Sequence, residues 1–191
     1  MPDQDRRVRR TRKVLREAFI SLILEKGYEK LTIQDILDRA DVGHSTFYVH
    51  YRDKESLLLE CFDEMREQLR SNMAAIRPAG PIDVSRPAAL IFEHAYRNQR
   101  VYSALCGNKG GAVVQRHLRK MVGDVLREQL PHHLAETGTE VPTDVAAEYY
   151  TAAALGLLTW WIEHDFCRGD AWLSDAYQKL ALPARAMRRK A

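Results

Sequence analysis

The sequence predicts an all-α fold in two parts: an N-terminal three-helix domain, residues 1–55, and a larger helical domain, residues 56–191. Three observations lead there. Apolar residues recur at helical spacing along most of the chain. No segment alternates apolar and polar residues as a half-buried strand would. Pro78, Gly80 and Pro81 break the periodicity near the middle. A chain of 191 residues can bury a real core. Its 46% hydrophobic content is ordinary for a globular protein and argues against disordered or fibrous classes.

The elements follow in order. Leu15, Ala18, Phe19, Leu22 and Ile23 form one stripe, so a first helix is expected from about Arg10 to Lys26. Gly27 is placed to end it as a left-handed cap. Thr32, with Asp35 three residues on, has the capping-box pattern and opens a second helix whose Ile33, Ile36, Leu37 and Ala40 face inward. A tight turn at Asp41-Val42-Gly43 precedes a third helix, about His44 to Tyr51, with Phe47 and Tyr51 on its buried face. Asp53 caps a fourth helix that continues through Leu57, Leu58, Cys61, Phe62, Met65 and Leu69 as a connector. Further helices are expected after Pro87, from Val101 to Leu105, from Val113 through Leu126 to Pro131, from a Thr143 cap to about Phe166, and from Trp172 or Ser174 to Leu182.

Two short helices around a tight turn make a helix-turn-helix, the motif that lays its second helix in the DNA major groove. The third helix is dense in hydroxyl, imidazole and phenol groups. Ahead of it, Arg6, Arg7, Arg9, Arg10, Arg12, Lys13 and Arg16 form a run with no acid between Asp5 and Glu17. Such a run attracts phosphate without regard to sequence. The bland alternative for these groups is a solvated surface and tail. Their convergence on one short motif favours a double-stranded DNA partner.

From about Arg9 to Leu59 the chain resembles the TetR family of transcriptional regulators. The resemblance lies in Gly27-Tyr28, Leu31-Thr32-Ile33, the turn at Val42, Thr46-Phe47-Tyr48-Val49-His50-Tyr51 and Asp53-Lys54-Glu55-Ser56-Leu57. It implies DNA contacts at Thr32, Gln34, Gly43, His44, Ser45, Thr46, Tyr48, Val49, His50 and Lys54. Lys54 would meet a phosphate at a helix N-terminus, where exposed N–H donors add positive character. Gly43 departs from the pattern: a serine often caps the recognition helix there, and glycine offers no side-chain oxygen. The third helix also lacks the Arg, Asn and Gln that read bases bidentately, so specificity is expected to lean on Gln34, on Val49 against thymine methyls, and on DNA shape.

The second domain looks like those of regulators related to dihydroxyacetone kinase activators, through Trp160-Trp161-Ile162 and the final helix. Its aromatic residues suggest a cavity for a small-molecule effector, with Tyr96, Tyr102 and Trp161 as ligand contacts, although aromatic residues at helical spacing also serve as plain core. Ala152 to Trp161 sets small residues before bulky ones, which suits pairing with a second copy in a four-helix interface. A homodimeric, ligand-responsive repressor on a pseudo-palindromic operator is the reading that results.

Two alternatives stay open: an adaptor that meets a protein partner without a ligand, and an enzyme using Cys106 with His94 or His117. The second has no motif behind it. His132, His133 and Glu136 lack a third well-spaced metal ligand, and neither a metal nor a cofactor is expected. Three cysteines without paired spacing fit a reducing cytosol. The N-terminus has no signal-peptide core, and Val145 to Ile162, broken by Glu148 and two tyrosines, reads as a buried helix rather than a membrane span. The expected location is cytoplasmic.

Overall fold

A computed structural model describes residues 2–75, 85–107, 110–128, 130 and 141–181. The helices are α1 (Pro2–Lys26), α2 (Ile33–Ala40), α3 (His44–His50), α4 (Lys54–Ala75), α5 (Ser85–Arg97), α6 (Gln99–Cys106), α7 (Gly111–Arg127), α8 (Thr143–Glu163) and α9 (Asp170–Ala181). No strand occurs among the described residues, as the absence of period-two patterning requires.

The chain divides into two compact units, residues 1–65 with 100–118, and residues 66–99 with 119–191. This differs from a break at residue 55. The physical reason is visible in the first turns of α4, where Leu57, Leu58, Phe62 and Met65 are buried. These side chains belong to the first unit's interior and carry it beyond the motif.

The first unit is built on α1. Its Leu15, Phe19 and Ile23 are fully buried, with Ile36 and Leu37 from α2 and Phe47 from α3 also in the interior. Tyr28 meets Phe19 edge-on, centroids 6.2 Å apart. Gly27 ends α1 at φ 83°, its N–H donating to Ile23 O at 2.8 Å. Only glycine enters that region without a Cβ clash. The helix starts earlier than its apolar stripe indicates: the basic run continues the α1 spiral from Pro2.

In the second unit, α9 packs on α5 and α8. Its interior is aromatic. Phe92 meets both Trp161 and Tyr177 edge-on, at 6.5 and 5.8 Å. Phe166 meets Trp161 at 4.9 Å. The chain leaves α8 through Asp165 and Phe166, both left-handed at φ 51° and 50°. Trp161 Nε1 donates to Arg168 O at 2.9 Å, which holds that turn against the helix it follows. The residue preceding α8 is Pro142 rather than Thr143, and no side chain caps it. Thr143 is already helical, and Asp144 Oδ1 accepts the Val145 N–H at 3.0 Å.

Candidate nucleic-acid interface

The motif is assembled from local hydrogen bonds. The Asp35 N–H donates to Thr32 Oγ1 at 3.2 Å, and the Thr32 N–H donates to Asp35 Oδ2 at 2.8 Å. This reciprocal pair sets where α2 begins. Lys26 joins it at 2.5 Å, and the hydrogen bonds from Lys26 and Thr32 hold the Asp35 carboxyl well below the usual carboxylate range. Arg39 forks onto Glu25 with bonds of 2.7 and 2.8 Å, tying the end of α2 to α1. The hydrogen bond to Arg39 brings Glu25 down to about 2.

The turn is made by Asp41, left-handed at φ 54°, whose N–H donates to Leu37 O. Aspartate tolerates this region better than most residues. Gly43 is instead extended, at φ −71° and ψ 153°, and forms the bare N-cap of α3. A Cβ built on it meets nothing within 4 Å.

Of α3 only Phe47 is buried. Its ring lies 5.6 Å from that of Tyr51, which is also buried. Tyr51 OH donates to Glu60 Oε1 at 2.9 Å, and Arg12 and Arg16 pair with the same carboxylate at 2.8 and 3.0 Å. Burial and the Glu60 contact push the Tyr51 phenol up, so it stays neutral. The rest of the helix looks out. Gly43, His44, Ser45 and Thr46 are exposed, Tyr48 and Val49 are 55% and 78% exposed, and His50 is half-buried. Thr32 and Gln34 of the second helix's start are exposed as well. His44 Nε2 stands 2.8 Å from Gln34 Oε1, and the His44 ring stacks on Tyr48. Three of the residues expected to contact DNA therefore touch one another, across the turn.

Lys54 opens α4, at the helix start where it was expected, and its ammonium also has partners there. Its Nζ donates to Tyr28 O and Leu31 O, both at 2.9 Å, and lies 4.5 Å from the Tyr28 ring centre. Two of its three donors serve the loop between α1 and α2, so its first role is to close that loop. Sequence reading saw a cation at a helix start and could not see the carbonyls beside it. Asp53 does cap this helix: Ser56 N–H donates to its Oδ1 at 2.7 Å, and Ser56 Oγ accepts the Asp53 N–H at 3.2 Å.

Beside α3, the basic face of α1 lines an open cleft of about 680 Å³ with Arg9, Arg12, Lys13 and Arg16 on one wall and His50 and Ser56 among the others. Glu60, Asp63 and Glu64 complete it, so part of the basic charge is neutralised in place. Sequence reading missed Glu60 as the anchor of this cluster. Its signal was present as the Glu60–Glu64 spacing in the first half of the fourth helix, with no indication of which arginines it would meet.

Two of the expected effector contacts meet in the second unit. Tyr96, 40% exposed, stacks face to face on the fully buried Trp161 at 5.6 Å. Tyr102 belongs to the first unit and is fully buried. Cys106 is buried and its thiol is pushed up by desolvation, the opposite of what a nucleophile needs. His94 faces Gln68 at 2.7 Å and His117 faces Glu55 at 2.8 Å, so each imidazole already has a partner of its own. His132, His133 and Glu136 lie outside the described residues. Among the described residues no group of His, Cys, Asp and Glu could hold a metal ion, and no helix is long and apolar enough to cross a membrane.

A capped short helix, a left-handed turn, and a second helix that buries one aromatic and exposes its other side chains define a helix-turn-helix protein. Residues 15–61 match the model for bacterial regulatory proteins of the tetR family, and residues 87–176 match the transcriptional regulator C-terminal region. The chain belongs to the tetR family of bacterial regulatory proteins. It is 47% identical over 55 residues, 28% of its own length, to the uncharacterized HTH-type transcriptional regulator YxbF of Bacillus subtilis. The chain spans only 14% to 34% of the length of the curated relatives it matches first. Likeness to solved structures runs further. A TetR transcriptional regulator from Streptococcus agalactiae superposes with a TM-score of 0.68 at 25% identity, covering 93% of this chain and 97% of that one. The regulator FadR from Bacillus subtilis, solved with stearoyl-CoA, gives 0.69 at 14% identity over 90% and 97%. The dihydroxyacetone kinase operon activator DhaS gives 0.57 at 17% identity over 90% and 94%, a likeness of fold alone.

Proposed function

We propose that the protein is a homodimeric repressor that binds a pseudo-palindromic operator through α3 and releases it when a small molecule enters the second unit. The observation that carries the DNA reading is the division of labour on α3: Phe47 is buried, while His44, Ser45, Thr46, Tyr48 and Val49 face outward. Thr32 and Gln34 flank them from α2, with Gly43 letting the backbone approach and His50 at the groove wall. Lys54 retains one donor for a phosphate after closing its loop.

The dimer reading is supported by one face of α8. Val145, Tyr149, Ala152, Gly156 and Trp160 fall on a single helical stripe, and all are exposed. Trp172 of α9 extends it, 6.1 Å from Trp160. A stripe of apolar and small residues left in water suits a second copy of the same helix. The effector reading is supported by the half-exposed Tyr96 on Trp161, and by the stearoyl-CoA bound to the FadR relative. Ligand and DNA would then oppose each other reciprocally.

Selection of duplexes from a random pool tests this reading. A palindrome with half-site centres about 34–36 Å apart is expected, with affinity falling steeply as salt rises. Tyr48→Ala should weaken binding while leaving the melting temperature in place. A monomer in solution, or no enrichment of any duplex, refutes it.

A further inference from the structure

The side-chain amide of Gln34 is held at both ends. Its Nε2 donates to Asp38 Oδ1 at 2.6 Å, and its Oε1 stands 2.8 Å from His44 Nε2. An ionised carboxylate only accepts hydrogen bonds. The Asp38 contact therefore decides which end of the amide is nitrogen. The oxygen must face His44, so the imidazole nitrogen there must carry a hydrogen and donate it. One aspartate thus orients a glutamine, and the glutamine selects the form of a histidine on the next helix. Stacking on Tyr48, with centroids 6.4 Å apart and planes 19° from parallel, holds the imidazole from its other side.

After these bonds Gln34 keeps one N–H donor and one lone pair on Oε1. Adenine offers the complement in the major groove, an acceptor at N7 and a donor at its N6 amino group. Guanine presents acceptors at both N7 and O6 and cannot satisfy the amide oxygen. Gln34 is exposed at the start of α2, beside the exposed leading end of α3.

We propose that Gln34 reads an adenine in each half-site, and that His44 and Asp38 are positioning residues that hold its amide ready. This rests on the reading of α3 as the groove-facing helix. Specificity is then divided between both helices of the motif, joined by the Gln34–His44 bond. A side chain already held in its bound orientation loses less freedom on meeting the base.

The test uses the full chain and duplexes enriched from a random pool. The adenine at the selected position is exchanged for guanine or for 7-deazaadenine, which lacks the N7 acceptor. The parent should lose affinity roughly 5- to 150-fold on either exchange, the span of a bidentate base contact. Gln34→Ala should abolish that discrimination. His44→Phe, which retains the stack on Tyr48, and Asp38→Ala should each reduce it by at least about threefold with an unchanged melting temperature. The ratio is the readout, because removing the Asp38 charge raises affinity for every duplex alike. Enriched duplexes without a fixed adenine, or discrimination undiminished in both positioning variants, overturn the proposal while leaving DNA binding intact. Failure to enrich any duplex overturns both.

Discussion

Replacing Lys54 by methionine separates two roles that a lysine at a helix start can play. Methionine keeps the reach and bulk of the side chain but removes its donors and its charge. The structure gives Lys54 two bonds to loop carbonyls and a place against the Tyr28 ring. Hydrogen bonds from a charged group contribute about 1.5–3 kcal/mol each, and an ammonium on an aromatic face about 0.5–1 kcal/mol where partly exposed. Lys54 is half-buried, so water can replace part of this. Roughly half of the gross figure survives that discount, a net loss of about 2–3 kcal/mol for Lys54→Met. For a chain of this size that lowers the melting temperature by roughly 5–10 °C. Thermal melts followed by circular dichroism, with guanidinium titrations to confirm an unchanged slope, give the value. A Lys54→Met protein that melts within about 1 °C of the parent and loses duplex affinity would show Lys54 to be a phosphate contact and not a clasp.

Three further outcomes are expected. Gly27→Ala places a Cβ at φ 83° and should destabilise by about 1–2 kcal/mol, read from the same titrations. Thr151 Oγ1 is buried without a hydrogen-bond partner among the described residues, so Thr151→Val should raise stability by about 1 kcal/mol; a loss would reveal a hidden partner. Glu25 and Asp35 are both held below their ordinary values of 4.5 and 3.8 in the fold. The stability they contribute is present above those ordinary values and is lost as pH falls through the folded ones. Melting temperature should therefore be level above about pH 5.5 and decline below about pH 4.5. Asp35→Asn should melt lower at pH 7 and show a shallower acid decline.

The motif was legible because its signals are local. A glycine after an apolar stripe, a threonine three residues before an aspartate, and two aromatics four apart each act within one turn of chain, and Gly27, Thr32–Asp35 and Phe47–Tyr51 all behave as that logic requires. What escaped depends on residues distant in sequence. Lys54 finds carbonyls 26 and 23 residues away. Tyr102 is drawn into the first unit with residues 100–118, which no helical periodicity reveals. At the candidate site the exposed groups were legible by type. The Gln34–His44 bond was not, since it spans two helices whose crossing the sequence does not state.

The solitary anchoring of α3 has a consequence for engineering. With Phe47 alone committed to the interior, the exposed positions Ser45, Thr46 and Val49 can be exchanged as freely as letters on a printing block, with the block itself undisturbed. Libraries varied at Ser45, Thr46 and Val49 should retain folded, soluble members throughout, so new operator preferences can be sought without first repairing the scaffold.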